Sequence, residues 1–265
     1  MGFTSSDSTY SDIRIEEPEP GITVLTLTRP ERMNAVRFET HDQIADAVGS
    51  LRTRALVITG EGRGFCAGDD VVDIFNNGEG DGVDMGADPA LDSTSRLLLS
   101  RDYPIIAAVN GPAVGYGMGL ALMADLRVAA RTAKFAELYI RRGQAADATG
   151  FGRLWQLIGR ERATWMLLTG EMITAEQAAE WGLVLEVVPE GQALERALQV
   201  ARTVAGQPPL VVEASKQAMR RVSDPDWERF GDWLGPVHAR LFRTEDHREA
   251  VRAYLERRDP AYQGR

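Results

Sequence analysis

Apolar positions fall along the chain in short continuous runs separated by glycine-rich turns, a pattern that predicts buried strands alternating with helices. Ile22 to Thr28 (ITVLTLT) has strand composition and stops at Arg29-Pro30. Arg37 to Arg52 carries Phe38, Ile44, Ala47, Val48 and Leu51 at roughly helical spacing. Ala55 to Thr59 (ALVIT) and Ile105 to Val109 (IIAAV) read as buried strands, and each runs into a glycine loop, GEGRGFCAGDD and NGPAVGYGMG. Onward to Val128 the pattern predicts a helix and then a strand. The order of strand, helix, strand, Gly-loop, helix, strand, Gly-loop, helix is an α/β layout, with loops at strand ends where such folds usually hold ligands.

Beyond Arg160 the chain reads as mostly helical. A helix over Gln192 to Ala205 ends at Gly206, and Pro208-Pro209 precedes the next one. Asp224-Pro225 opens a long segment with Trp227, Phe230, Trp233, Leu234, Leu241 and Phe242, whose spacing fits packing on a partner subunit or on the chain's own core. The Ser/Thr/Asp-rich start predicts a disordered leader over residues 1–12. That leaves an α/β core over 13–205 and a helical region over 206–265. The Gly- and Asp-rich stretch from Asn76 to Ala90 is expected to be mobile.

Composition narrows the function. Apolar residues make up 44% and charged residues 26% of the 265, an ordinary globular profile. A formal charge of −9 with no basic run argues against nucleic acid as a partner, while a local patch can still hold a phosphorylated small molecule. Of 30 basic residues only Lys134 and Lys216 are lysines; the rest are arginines, suited to bidentate phosphate contacts. A single cysteine, Cys66, forms no intrachain disulfide and offers no CxxC spacing, and without HExxH a zinc site is not expected. Cys66 reads as a small buried residue, not a nucleophile. No signal peptide or membrane span is legible, so the expected compartment is the cytosol.

The two glycine loops carry the chemistry. Neither is a phosphate loop, since GxxxxGK[ST] is absent and GYGMG lacks the dinucleotide pattern. Small residues just after a buried strand let backbone N–H groups approach a ligand closely. Two such loops from parallel strands can aim two amides at one oxygen, an oxyanion hole suited to thioester chemistry. Each loop by itself is also compatible with a plain tight turn.

ITVLTLTRPERMNAV, GEGRGFCAGDDVVDI and PIIAAVNGPAVGYGMGLALMADLRVAA resemble, in order and spacing, the N-terminal signatures of the crotonase (enoyl-CoA hydratase/isomerase) superfamily. AEQAAEWGLVLEVVP and EDHREAVRAYLERRDPAYQGR resemble its later segments, so the likeness covers roughly residues 20–265. It implies a spiral of ββα units, a C-terminal helical region that forms trimers or hexamers, and an acyl-CoA thioester as substrate, with coenzyme A part of the substrate and no separate cofactor. It implies Asp69 and Tyr116 as backbone oxyanion donors. It also implies Arg32, Ala35, Ala67, Gly68, Asp70, Gly115 and Tyr139 as residues around the coenzyme and substrate, Asp70 more as a loop brace than a catalyst.

The two glutamates of the family's hydratases fall on Gly119 and Tyr139 here, so both are missing. Glu137, two residues before Tyr139, would share its face on an extended strand and could there replace a missing glutamate; a partly exposed glutamate is the expectation preferred. Asp147 matches the position of a catalytic aspartate in dienoyl-CoA isomerases, ring-opening isomerases and aryl-CoA dehalogenases, although an N-cap role also fits. The dehalogenase reading requires a histidine base, and none of His41, His238 and His247 is expected near the pocket segments. The resulting expectation is an enoyl-CoA double-bond isomerase using Asp147. The alternatives are a hydratase or hydrolase in which Asp147 activates water, and a non-catalytic CoA-binding protein.

Overall fold

A computed structural model describes residues 10–70 and 91–265; the stretch from Asn76 to Ala90 lies outside the described residues. Its main sheet has six strands in the order β1-β2-β3-β4-β6-β9. β1 (Ile13–Glu19) is antiparallel to β2 (Ile22–Leu27), and β2, β3 (Ala55–Gly60), β4 (Ile105–Val109), β6 (Leu126–Ala130) and β9 (Glu186–Val188) run parallel.

Parallel strands need crossovers, which put helices on both faces, and this explains the continuous apolar runs. Leu25, Leu27, Leu56, Ile58, Ile105 and Ala107 point into one core. Their neighbours Ile22, Val24, Ala55, Val57, Ile106 and Ala108 point into the other, where α7 (Ala193–Ala205) packs through Ala193, Ala197 and Ala201.

Each turn of the chain also gives a short segment to a second rank of strands. β5 (Ala113–Val114) pairs in parallel with β7 (Lys134–Ala136), which pairs antiparallel with β8 (Ile173–Thr174). Single bridges extend that rank to the first two turns, Cys66 beside Ala113 and Val36 beside Asp69. The helices α1 (Phe38–Ser50), α2 (Ser93–Ser100), α3 (Tyr116–Met123), α4 (Ala148–Ile158), α5 (Arg160–Thr169) and α6 (Ala175–Glu180) fill the turns. The result is the expected spiral of strand–strand–helix units.

Two boundaries differ from expectation. β1 was not legible because it is an edge strand in which three glutamates and Pro18 are tolerated, only Ile13 being buried. The disordered leader does not extend to residue 12. Asp12 is 2% exposed and accepts the Arg37 guanidinium at 2.7 and 2.8 Å, while Tyr10 donates to Asp46.

After α7, the chain continues as α8 (Pro209–Ser223), α9 (Trp227–Phe242) and α10 (Glu245–Glu256). The aromatic segment divides between environments: Leu234 is buried, Trp227, Phe230 and Val237 lie against the chain's own core, and Trp233 is 61% exposed. Among the described residues no helix is long and apolar enough to cross a membrane.

Candidate active site

The loops after β3 and β4 meet backbone to backbone. Gly68 has φ +87°, and a Cβ there would stand 2.9 Å from the Val114 carbonyl and 3.4 Å from the Tyr116 nitrogen. Only glycine permits that conformation and that approach. The surrounding amides are already committed: Val36 donates to Gly68, Asp70 to Val36, Val114 to Cys66 and Gly115 to Ala136, all at 2.7–3.1 Å. The Val36–Asp69 bridge has parallel geometry, which turns the Asp69 N–H away from Val36. The Tyr116 N–H opens α3, where the first amides of a helix lack intrahelical acceptors. Neither the Asp69 nor the Tyr116 amide donates to any group among the described residues. Both residues line a cavity of about 320 Å³ together with Ala67, Gly68, Gly115, Tyr139 and Asp147.

Asp147 serves as cap and pocket wall at once. Its Oδ1 accepts the Gly150 amide and the Thr149 hydroxyl, each at 2.7 Å, and so caps α4. Its Oδ2 accepts the Tyr139 hydroxyl at 3.3 Å. Burial raises the carboxyl to about 6 and the negative charges of Asp92 and Asp69 push the same way, against the lowering effect of the two bonds to Oδ1.

A folded-state value above the usual carboxylate range means that the native chain holds this proton more tightly than the unfolded chain. The associated stability is full below about pH 4 and is lost as pH rises through about 6. Asn caps a helix as well as Asp does and carries no charge. Asp147→Asn is therefore expected to stabilise the fold by roughly 2 kcal/mol at pH 8 and by nearly nothing at pH 4. Urea denaturation at the two pH values checks this, and equal stability at pH 8 would refute the buried charge.

The space at position 119 belongs to that carboxylate. A Cβ on Gly119 would lie 2.9 Å from Thr149 Oγ1, 3.2 Å from Asp147 Cγ and inside the radius of Asp147 Oδ2. Tyr139 sits in a 3₁₀ turn over Leu138–Arg142 and presents its hydroxyl to the same oxygen.

Glu137 departs from expectation. It is 1% exposed, it lies beyond the end of β7 where strand alternation no longer applies, and it does not line the cavity. Neither carboxyl oxygen has a hydrogen-bond partner, and a Cβ on Gly150 would fall 2.9 Å from its Oε1. Burial, reinforced by Asp147, drives its pKa well above the carboxylate range, so it is a neutral acid behind the wall.

Arg32 ends an exposed turn over Pro30–Arg32, and no carboxylate among the described residues pairs with it. Ala35 is buried; its carbonyl accepts Arg29 at 2.6 Å, and Arg29 also binds Asp70 at 2.9 Å, tying the two loops together. Cys66 is fully buried, which pushes its thiol up to about 12.

The histidine expectation is overturned, since His41, His238 and His247 all line the cavity. They come from α1, α9 and α10, helices remote in sequence from the glycine loops. His238 meets the Ala146 carbonyl at 3.1 Å and His247 donates to the Arg142 carbonyl at 2.8 Å. Burial lowers both pKa values, and these rings anchor the C-terminal helices over the site. The position of His41 follows from the fold. α1 follows Val36 at once, and Val36 bridges to Asp69, so a residue one turn into α1 comes back beside that loop.

Residues 17–265 match the family model described as Enoyl-CoA hydratase/isomerase. The chain is 36% identical over 253 residues to the 1,2-epoxyphenylacetyl-CoA isomerase of Escherichia coli (strain K12), covering 93% of this chain and 97% of that one. It is 35% identical over 252 residues to the 2,3-dehydroadipyl-CoA hydratase of the same organism, covering 92% and 96%. Among solved structures, EchA1_1 from Mycobacterium paratuberculosis ATCC BAA-968 / K-10 matches with a TM-score of 0.84 and 34% identity over 96% of this chain and 99% of that one. The carnitinyl-CoA hydratase from Mycobacterium avium matches with a TM-score of 0.82 and 31% identity over 97% and 100%.

Proposed function

The chain belongs to the enoyl-CoA hydratase/isomerase family, and on that premise we propose that it is an acyl-CoA double-bond isomerase with Asp147 as its acid/base. The observation that carries this reading is the Asp147 carboxylate in the same cavity as two uncommitted amides, filling the space over Gly119. In a 3-enoyl-CoA, Asp147 Oδ2 takes a proton from C2. The electron pair spreads through C2–C4 and onto the thioester oxygen, which accepts hydrogen bonds from the Asp69 and Tyr116 amides. The protonated Asp147 then delivers that proton to C4, and the double bond comes to rest between C2 and C3. A carboxyl near 6 is matched to this task, ionised at neutral pH yet basic enough to accept a carbon-bound proton. One oxyanion donor is typically worth about 10²- to 10³-fold in rate.

In this reading Arg32 meets the coenzyme's phosphates, Ala35, Ala67 and Gly68 take its thiol arm, and Gly115 and Tyr139 border the acyl group. Coenzyme A belongs to the substrate, and the step requires no other cofactor. The reading also has the chain working as a trimer or hexamer through its helical surface, where Trp233 and Leu255 are 61% and 64% exposed.

A panel of 3-enoyl-, 2-enoyl- and aryl-CoA thioesters tests the proposal. The expected product is the shifted alkene, 2-enoyl-CoA from 3-enoyl-CoA and, in the reverse direction, 3-enoyl-CoA from 2-enoyl-CoA. Water addition without any shift of the double bond would instead assign Asp147 to water activation.

A further inference from the structure

The cavity that is to generate an enolate is walled by acids. Asp42, Asp69, Asp92 and Asp147 all line it. Its arginines, Arg37 and Arg142, each face another group. Arg37 is engaged by Asp12 at 2.7 Å and Glu39 at 2.9 Å, and Arg142 stacks over the Tyr254 ring at 4.9 Å. His238 and His247 are held toward their neutral forms by burial, and Tyr116 and Tyr139 stay protonated.

His41 stands apart from these groups. Its Nε2 lies 3.7 Å from Asp69 Oδ1 and its Nδ1 lies 3.8 Å from Asp92 Oδ1, both within ion-pair range and beyond hydrogen-bond length. Its Nδ1 is sealed from solvent with no hydrogen-bond partner. The ring sits edge-on to Tyr116 with centroids 4.4 Å apart. The position is set from two sides: the His41 amide donates to Arg37 within the first turn of α1, and its carbonyl accepts the Thr94 hydroxyl of α2 at 2.9 Å. Asp92 is fixed as well, since it caps α2 through the Ser95 amide at 2.9 Å and the Ser95 hydroxyl at 2.6 Å.

We infer that His41 is a positioning residue, an imidazolium wedged between Asp69 and Asp92 that offsets part of their negative charge beside the two amides. The cavity can then hold the ionised Asp147 before proton transfer and the enolate after it. The inference rests on the isomerase reading. Burial acts to discharge the ring, but the two carboxylates outweigh it and raise its pKa to about 10, so the cation persists across the neutral range. Asp92 and Asp69 already push Asp147 upward, and without His41 between them that push grows.

The test is the titration of a ¹³C-labelled Asp147 carboxyl in the resting protein, read beside the pH profile of kcat. In His41→Gln the carboxyl midpoint is expected to rise by about one unit or more, carrying the acidic limb of kcat with it. At pH 8 kcat is expected to fall about tenfold, because two uncompensated carboxylates oppose the developing charge, with KM within a few fold. Adding Asp69→Asn and Asp92→Asn to His41→Gln should bring the midpoint back to its starting value or below it, because the charges that raise it are gone while the backbone amide and the helix cap remain. Should His41→Gln fail to fold, Asp69→Asn with Asp92→Asn in the otherwise native chain should lower the midpoint. A midpoint that stays put in these variants overturns the inference, as a merely structural His41 would leave it unmoved. Failure of the isomerase reading looks different: turnover would survive in Asp147→Asn, whatever the carboxyl titration shows.

Discussion

Asp147→Asn is expected to lower isomerase turnover by about 10²- to 10⁴-fold, the usual contribution of a positioned acid/base, while acyl-CoA affinity stays within a few fold. Asn preserves the side-chain volume and the acceptor that holds the Gly150 amide and the Thr149 hydroxyl, so α4 keeps its cap. The backbone amides of Asp69 and Tyr116 do not depend on residue 147, and the thioester contact survives. What is lost is the ability of Oδ2 to take and return a proton. The same substitution relieves a buried charge, so the inactive variant should also be the more stable one above pH 6. Steady-state kinetics with saturated acyl-CoA as a competitive ligand separates the two effects. A variant that loses affinity and turnover equally would point to a structural Asp147.

Gly119→Ala is expected to be nearly as damaging without touching an ionisable group. The added methyl would compete with Asp147 Oδ2 for one position and press on Thr149 Oγ1, so either the carboxylate or α3 has to move. Overpacking of this kind costs about 1–3 kcal/mol, and a shift of about 1 Å in a catalytic group costs about 10²-fold in rate. Pairing with Asp147→Gly identifies the cause. In that background the methyl has room, so its effect on melting should largely vanish, a non-additivity expected of residues sharing one space. Full activity in Gly119→Ala would mean that the carboxylate is not held against α3.

These two residues also mark what sequence reasoning can reach. The main strands were legible because a parallel sheet covered on both faces leaves unbroken apolar runs, as at ALVIT and IIAAV. β1 was hidden because an edge strand tolerates Glu16, Glu17 and Pro18, and β5, β7 and β8 are two or three residues long, too short for any period. The glycine loops were legible because Gly68 and Gly115 adopt positive φ, which other residues avoid.

Glu137 differs from expectation because strand alternation ends at Ala136, where β7 gives way to a 3₁₀ turn. The histidines are not legible as pocket residues because α1, α9 and α10 reach the cavity only through the fold. For Asp147, capping and lining the site are not rivals. A carboxylate has two oxygens, and here each serves one role.

Solvent-proton exchange tests the central claim most directly. The protein is incubated with 3-enoyl-CoA in D₂O, and the position of the double bond and of any deuterium is read by NMR and mass spectrometry. The account predicts 2-enoyl-CoA from the native chain, with deuterium at C4 wherever the Asp147 proton exchanges before its return, and neither change with Asp147→Asn. Product heavier by one water with no migrated double bond, or undiminished migration by Asp147→Asn, would contradict it.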